Sequence, residues 1–409
     1  MSNDNNLSDR LRTRPLWILW GLFAFWALTH FGVPLIAALE IWFSRGAFLG
    51  VNIYDRDFAN YWVAGKLVLS GEHMLLFPHD TYFAYLQSIF GPNYQIHSWS
   101  YPPHYLLLMW PLGFLGYEAA LLSFLLVTFA LFAASAVWFR RAFAPKTHLA
   151  QAALALVPFV VMMIAATQNG FLIAAFMLVA LTFMKTRPWV AGLALALLTV
   201  KPHLGLLFAV VVLMDRNWRV LAWTVAFAIA LAGLSVLLFG FESWQAYFRE
   251  VIPYQQSVMT DWRGIFLRMM PSVFGSMRTL NLTPATALAA HWVFAAIALP
   301  LVVWLLWKVR DSLQRAFVLL AGTFLLTPYS FNYDMGALSL VAALLAQTLV
   351  LRSFRVAALF VALIAVLPGV MTALGQANLP LSPLLLAGAV AALAAATART
   401  PSAPAPTNA

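Results

Sequence analysis

Residues 189–214 read WVAGLALALLTVKPHLGLLFAVVVLM, preceded by Lys185-Thr186-Arg187 and followed by Asp215-Arg216. Two apolar runs, 189–200 and 203–214, meet at Lys201-Pro202-His203. Each run is about 12 residues, or about 18 Å of helix, whereas a hydrocarbon core is roughly 30 Å thick. Charge at both outer ends keeps those ends on one side of a membrane. The stretch therefore predicts a helical hairpin whose tip stays inside the protein. Lys201 lies about ten residues from either charged end, too far for its side chain to snorkel to water. An ionisable group at that depth needs a polar cavity or a partner.

The chain around this hairpin is of the same kind. It has 409 residues, 63% of them hydrophobic and 9% charged. So few charges cannot cover a soluble surface, and an all-α integral membrane protein is expected. There is no cysteine, which excludes disulfides and thiolate metal sites. The net charge is +10, and sixteen of the 24 Lys and Arg recur in clusters between apolar runs, from Arg10, Arg12 and Arg14 through Arg140-Arg141, Lys185, Arg216, Lys308 and Arg352 to Arg399. Only Asp4, Asp9, Asp215 and Asp311 accompany them. The positive-inside rule makes this set cytoplasmic. The basicity thus orients the chain in a membrane and is no nucleic-acid footprint.

The clusters set the parity of the other apolar runs. Residues 16–39 go out as a retained signal-anchor helix, too long for a signal h-region. Residues 40–115 form a long outer segment with amphipathic and aromatic pieces. Residues 116–139 return, 149–167 go out and 171–185 return. After the hairpin, 217–240 go out and 241–286 form a second long outer loop. Then 287–307, 316–328, 335–351, 356–372 and 383–398 alternate. The result is a single domain, 1–398, of about 12 helices with both ends inside. Residues 399–409, rich in Pro and Ala, are expected to be a disordered cytoplasmic tail.

Non-helical backbone at membrane depth is tolerated only where protein or water lines it. Three such places occur: Gln168-Asn169-Gly170, Lys201-Pro202-His203 and Thr327 to Asp334. Parity puts all three toward the outer leaflet, with the segment Tyr54 to Gly65 and the 241–286 loop. A polar cavity opening outward accounts for them together.

The candidate site residues follow from that cavity. Asp55-Arg56-Asp57 is a solvated loop with a local ion pair, or it supplies Asp57 as a general base for a substrate hydroxyl. Asp-x-Asp can also hold a divalent metal, but three residues are a weak pattern. Tyr101 and His104 belong to a Pro-rich helix start that either sits in the interfacial aromatic belt or walls a lipid-facing groove. Lys201, with His203 beside it, is expected to contact a phosphate or sugar oxygen, its charge matched by an anionic ligand. Tyr333 and Asp334 form an interfacial turn; Asp334 can cap the next helix or pair with Lys201. Arg263 and Arg268 suit lipid head groups or a donor phosphate, and equally a positive loop lying on anionic lipid. None of the eight His residues is paired at helical spacing with another ligand, so no metal site is expected.

Read in order, the motifs resemble a family. Asp57-Phe58-x-x-Tyr61-Trp62-x-Ala64-Gly65 is followed by Tyr101-Pro102-Pro103, Pro111-Leu112 and Gln168-Asn169-Gly170. Arg187-Pro188-x-x-Ala191-Gly192 then runs to Lys201-Pro202, and Thr327-Pro328-Tyr329 leads to Tyr333-Asp334. Over residues 54–336 this resembles glycosyltransferase family 87, the polyprenol-phosphate-mannose-dependent mannosyltransferase-like proteins of the GT-C superfamily. The resemblance implies a GT-C-like transmembrane bundle in the plasma (inner) membrane, with outer-leaflet loops forming a site that faces the periplasm or exterior. It implies a polyprenyl-phosphate sugar donor, transfer of a mannose-like hexose to a lipid- or envelope-linked acceptor, and inversion. Asp57 takes the place of the base; Tyr61, Gln168 and Asn169 join the binding residues. Some branches carry His where this chain has Tyr333-Asp334, which leaves a second catalytic group open. No cofactor is implied, because Lys and Arg can supply the charge for a phosphate leaving group.

The competing class is a polytopic transporter or flippase for a lipid-linked or anionic substrate, which would also have broken helices and an intramembrane lysine. No internal repeat relates the two halves of this chain, and its outer loops are long and aromatic-rich.

Overall fold

The computed structural model describes residues 2–34, 36 and 57–398, with side chains from Arg12 onward. Asp55, Arg56 and the 399–409 tail lie outside the described residues. Those described are helical with connecting turns, and no strand occurs among them. Among the described residues six helices are long and apolar enough to cross a membrane: Arg12–Gly32, Tyr117–Phe143, Leu149–Ala166, Trp218–Phe239, Pro284–Lys308 and Arg355–Gln376. Six shorter apolar helices accompany them: Gly170–Phe183, Pro188–Leu198, Pro202–Met214, Ser312–Leu326, Gly336–Leu351 and Ser382–Ala398.

The short helices make the middle. Gly336–Leu351 is apolar all round, and a helix with no polar face is stable only when enclosed. Gly336 through Gln347 are all buried. Arg355–Gln376, Leu149–Ala166, Ser312–Leu326 and Gly170–Phe183 pack around it. The long helices Trp218–Phe239 and Pro284–Lys308 expose large apolar side chains such as Ile229, Leu237, Val293 and Ile297, as lipid-facing helices do.

The hairpin forms as the sequence predicts, from Pro188–Leu198 and Pro202–Met214. Each half begins on a proline, whose missing N–H is no loss in a first turn. Pro202–Met214 has 13 residues, so its two ends lie about 20 Å apart. At one end Arg315 grips Asp215 through both guanidinium nitrogens, at 2.7 and 2.6 Å. Asp311, which caps Ser312–Leu326 through Leu313 and Gln314, also receives Arg352 at 3.1 Å. Lys201 and Thr327 are at the opposite ends of these two helices.

Two expectations differ from the structure. The 241–286 segment is a chain of short helices, among them Phe241–Ala246, Ile252–Asp261 and Val273–Thr279, broken at Gly264 and at Pro271-Ser272. Its aromatic and methionine side chains give these helices an apolar face to bury, so a bare loop is not the stable form. The first helix begins at Ser2, well before residue 16; its polar first turns need no membrane to be helical.

Gln168-Asn169-Gly170 turns sharply between Leu149–Ala166 and Gly170–Phe183. Thr167 sits in the left-handed region at φ 53°, a strained place for a β-branched residue. Gly170 then presses on the Tyr333 carbonyl so closely that a Cβ would collide with it. A methyl there must push the 327–335 turn away, and overpacking of this kind costs about 1–3 kcal/mol. Gly170→Ala should lower the thermal unfolding midpoint of the detergent-solubilised protein; an unchanged midpoint would show that the turn has room to spare.

Candidate active site

The three interrupted stretches converge on one cavity of about 530 Å³. Its walls include Asp57, Asn60 and Tyr61 at the start of Phe58–Ser70, the 95–101 loop, and Gln168. Val200 to His203, residues 247–269 and the turn from Thr327 to Asp334 complete it.

The floor is ionic. Lys201 Nζ lies 2.6 Å from Asp334 Oδ1, and their side chains are 9% and 0% exposed. The ammonium also stands 4.7 Å from the centre of the Tyr333 ring. The charge of Lys201 is therefore matched by Asp334 within the protein, one of the two partners that the sequence offered for it, the other being an anionic ligand. Burial pushes the Asp334 carboxyl above the usual carboxylate range, against the pull of Lys201. Its Oδ2 is buried without a partner. Asp334 caps no helix: Gly336–Leu351 has Met335 at its N-cap and no side-chain cap bond, because the Asp334 side chain is turned to Lys201.

A phenol and amide network forms one wall. The Tyr61 hydroxyl donates to Gln168 Oε1 at 2.8 Å and, its hydrogen spent, accepts from the Tyr101 hydroxyl at 2.9 Å. Behind it Asn169 Nδ2 donates to the Tyr105 hydroxyl at 3.1 Å. Asn169 is wholly buried and does not line the cavity. His104 is likewise buried behind the wall. Thr199 gives its hydrogen to the Ala196 carbonyl, so His104 Nε2 donates to Thr199 Oγ1 at 3.2 Å. Burial pulls the His104 imidazole down to about 4, which keeps it neutral while it braces the residue two before Lys201.

Asp57 stands apart from all of this. It occupies the N-cap position of Phe58–Ser70 yet makes no side-chain cap bond. Its side chain is 41% exposed, with His97 Nε2 at 4.0 Å from Oδ1. Trp62 Nε1 donates to the Leu115 carbonyl at 3.0 Å. Gly65 meets the Gly113 backbone so closely that a Cβ would be 2.7 Å from its nitrogen. These contacts dock the helix at whose start Asp57 sits.

The structure thus gathers Asp57, Tyr61, Tyr101, Gln168, Lys201, His203, Tyr333 and Asp334 around one space. Arg263 and Arg268 are not on its wall. Arg263 is exposed, and the Arg268 stem packs against Gly375. Sequence reasoning missed His97, Ser100 and Gln255. Gln255 donates to Ser100 at 2.7 Å and accepts from the Tyr329 hydroxyl at 2.9 Å. An amide pair, Gln255-Gln256, in an apolar segment was an available signal; nothing in the spacing tied His97 to Asp57. Among the described residues no group of three or more His, Asp or Glu is arranged to hold a metal ion.

The family model for glycosyltransferase family 87 matches residues 99–328. The match takes in Tyr101, Gln168 and Lys201, begins after Asp57 and ends before Tyr333-Asp334. No curated protein and no solved structure matches the chain. The match spans more than half of the sequence, and its residues supply the hairpin and much of the cavity wall: the chain belongs to glycosyltransferase family 87, as a membrane glycosyltransferase.

Proposed function

We propose that the protein transfers a mannose-like hexose from a polyprenyl-phosphate sugar to a lipid- or envelope-linked acceptor, with inversion and with Asp57 as general base. In this reading about 12 helices, the hairpin's two included, form a bundle in the plasma membrane, and the cavity opens on its outer face. The observation that carries it is the state of the two carboxylates on the cavity wall. Asp334 is buried and paired, whereas Asp57 is 41% exposed and uncapped. A base must reach the hydroxyl whose proton it takes, and Asp57 is placed to do so. As the acceptor oxygen bonds to the sugar carbon, its proton passes to Asp57. The bond from that carbon to the phosphate oxygen breaks, and its electron pair leaves with the phosphate.

The rest of the wall suits such a substrate. Val251, Ile252, Val258, Met259, Ile265 and Phe266 make one side apolar, as a prenyl chain requires. Tyr61, Gln168, Ser100 and Gln255 offer hydroxyls and amides for sugar oxygens. An ammonium has three donors, so Lys201 can hold Asp334 and still donate to a phosphate or sugar oxygen. Nothing in the cavity favours a transporter.

Three measurements test this reading. Asp57→Asn keeps the size and removes the base, so turnover should fall by about 10²–10⁴-fold in a protein that still folds and still binds donor. Near-wild-type turnover with the correct donor and acceptor would remove Asp57 from the mechanism. For sidedness, Arg263→Cys should react with an impermeant thiol reagent applied outside whole cells, and Lys308→Cys should not. The chain has no cysteine of its own, so labelling of both variants would overturn the orientation. For the floor, Lys201→Met strands a buried carboxylate and should cost about 3–5 kcal/mol of stability. Adding Asp334→Asn should recover most of that stability without restoring donor use. A double variant with wild-type kcat/KM for donor would make Lys201 purely structural.

A further inference from the structure

Asp57 has a neighbour that the reaction above does not use. His97 Nε2 is 4.0 Å from Asp57 Oδ1, and both residues line the cavity. On the far side of the ring, His97 Nδ1 lies 3.0 Å from the Gln95 carbonyl oxygen. A carbonyl only accepts, so Nδ1 carries the hydrogen and a neutral ring keeps its lone pair on Nε2. That lone pair is on the Asp57 side. The ring leans on Tyr94, with centroids 5.1 Å apart and planes at 31°, and the side chain is 13% exposed. It is therefore held in place yet retains a path to water.

We propose that His97 acts through Asp57, taking the proton on from that carboxylate after sugar transfer. The inference rests on Asp57 being the base. In the transfer step the acceptor proton moves to an Asp57 oxygen, while the electron pair of the broken bond leaves on phosphate. In the following step the proton moves from Asp57 to His97 Nε2. This leaves a carboxylate beside an imidazolium, which then releases the proton to water. The 4.0 Å gap closes with a small side-chain rotation or with one bridging water.

Among the described residues the other groups around the pair do not compete for this proton. Tyr61, Tyr101, Tyr329 and Tyr333 face Asp57, and burial pushes each hydroxyl up, so all stay protonated. Lys201 and Asp334 neutralise each other. His30 is exposed and off the cavity wall, so His30→Gln serves as a control.

The test uses the full chain in lipid nanodiscs, with undecaprenyl-phosphate [14C]mannose as donor and a total lipid extract of the source membrane as acceptor. His97→Gln should lower kcat by about 10- to 100-fold, less than the roughly 10²–10⁴-fold of a general base, with KM for both substrates unchanged. The acid limb of its kcat profile should move to lower pH, while His30→Gln keeps the wild-type limb. Free imidazole should partly restore His97→Ala. An unchanged kcat and acid limb in His97→Gln, or no rescue of His97→Ala, would overturn the inference. A second readout needs no substrate. At neutral pH, 15N-histidine spectra should show His97, identified by its loss in His97→Gln, as the Nδ1–H tautomer. The Nε2–H tautomer would overturn the inference whatever the donor proves to be. A wild-type protein with the Nδ1–H tautomer that releases no polyprenyl phosphate would instead overturn the donor assignment, and the relay with it.

Discussion

One buried ion pair ties together parts of the bundle that are 133 residues apart in sequence, Lys201 at the tip of the hairpin and Asp334 at the turn before Gly336–Leu351. Removing two ions from water costs several kcal/mol each, and only close pairing offsets it. In an apolar bundle the two turns cannot separate without stranding both charges. Everything near the site is registered against this contact. The Tyr333 ring stands by the ammonium, and Gly170 abuts the Tyr333 carbonyl. Gln168 next to that glycine receives the Tyr61 hydroxyl, which in turn receives Tyr101. Tyr61 is one helical turn beyond Asp57. The contacts thus run from the ion pair through Tyr333, Gly170 and Gln168 to Tyr61, one helical turn from the exposed carboxylate.

The same economy explains why the wall is built of phenols and amides. Each further unpaired charge at this depth would carry its own desolvation cost. Hydroxyls and amides provide directional donors and acceptors at less expense, provided that they satisfy one another when the site is empty. Tyr61 with Gln168, and Ser100 with Gln255 and Tyr329, do so. A sugar can replace such contacts one for one, because its own hydroxyls both donate and accept.

Much of this was legible in the sequence, and for identifiable reasons. The hairpin was readable because two apolar runs too short to cross share a charged side, a pattern with few other physical solutions. Gln168, Lys201 and Tyr333 were readable as cavity residues because polar side chains interrupting apolar helices must face something polar. The pairing of Lys201 with Asp334 could be raised but not decided: a buried lysine needs a counter-charge, and the sequence does not say whether protein or ligand provides it. His97 was not legible. It lies 40 residues from Asp57, in a segment with no periodicity, and only the folded loop brings the two together. Arg263 and Arg268 show the converse. Positive charge in an aromatic segment pointed to a ligand, but Arg263 faces outward and the Arg268 stem packs on Gly375, so neither reaches the cavity.

The proposed reaction assigns different parts to the two carboxylates, on a question that the Tyr333-Asp334 motif left open. Both are aspartates on the same cavity, so chemistry alone does not distinguish them; environment does. Asp334 has no exposed side-chain surface and an ammonium at 2.6 Å. Taking up an acceptor proton there would dissolve the pair that holds the floor, and an acceptor hydroxyl would have to displace Lys201 to reach the engaged oxygen. Asp57 has solvent on one side, no cap to give up and an imidazole within 4.0 Å. It can gain a proton without loss of any contact that the fold depends on. In the proposed reaction the division of labour is therefore structural in origin. The carboxylate that the bundle needs cannot be the base, and the one that the bundle can spare is the one that faces the substrate.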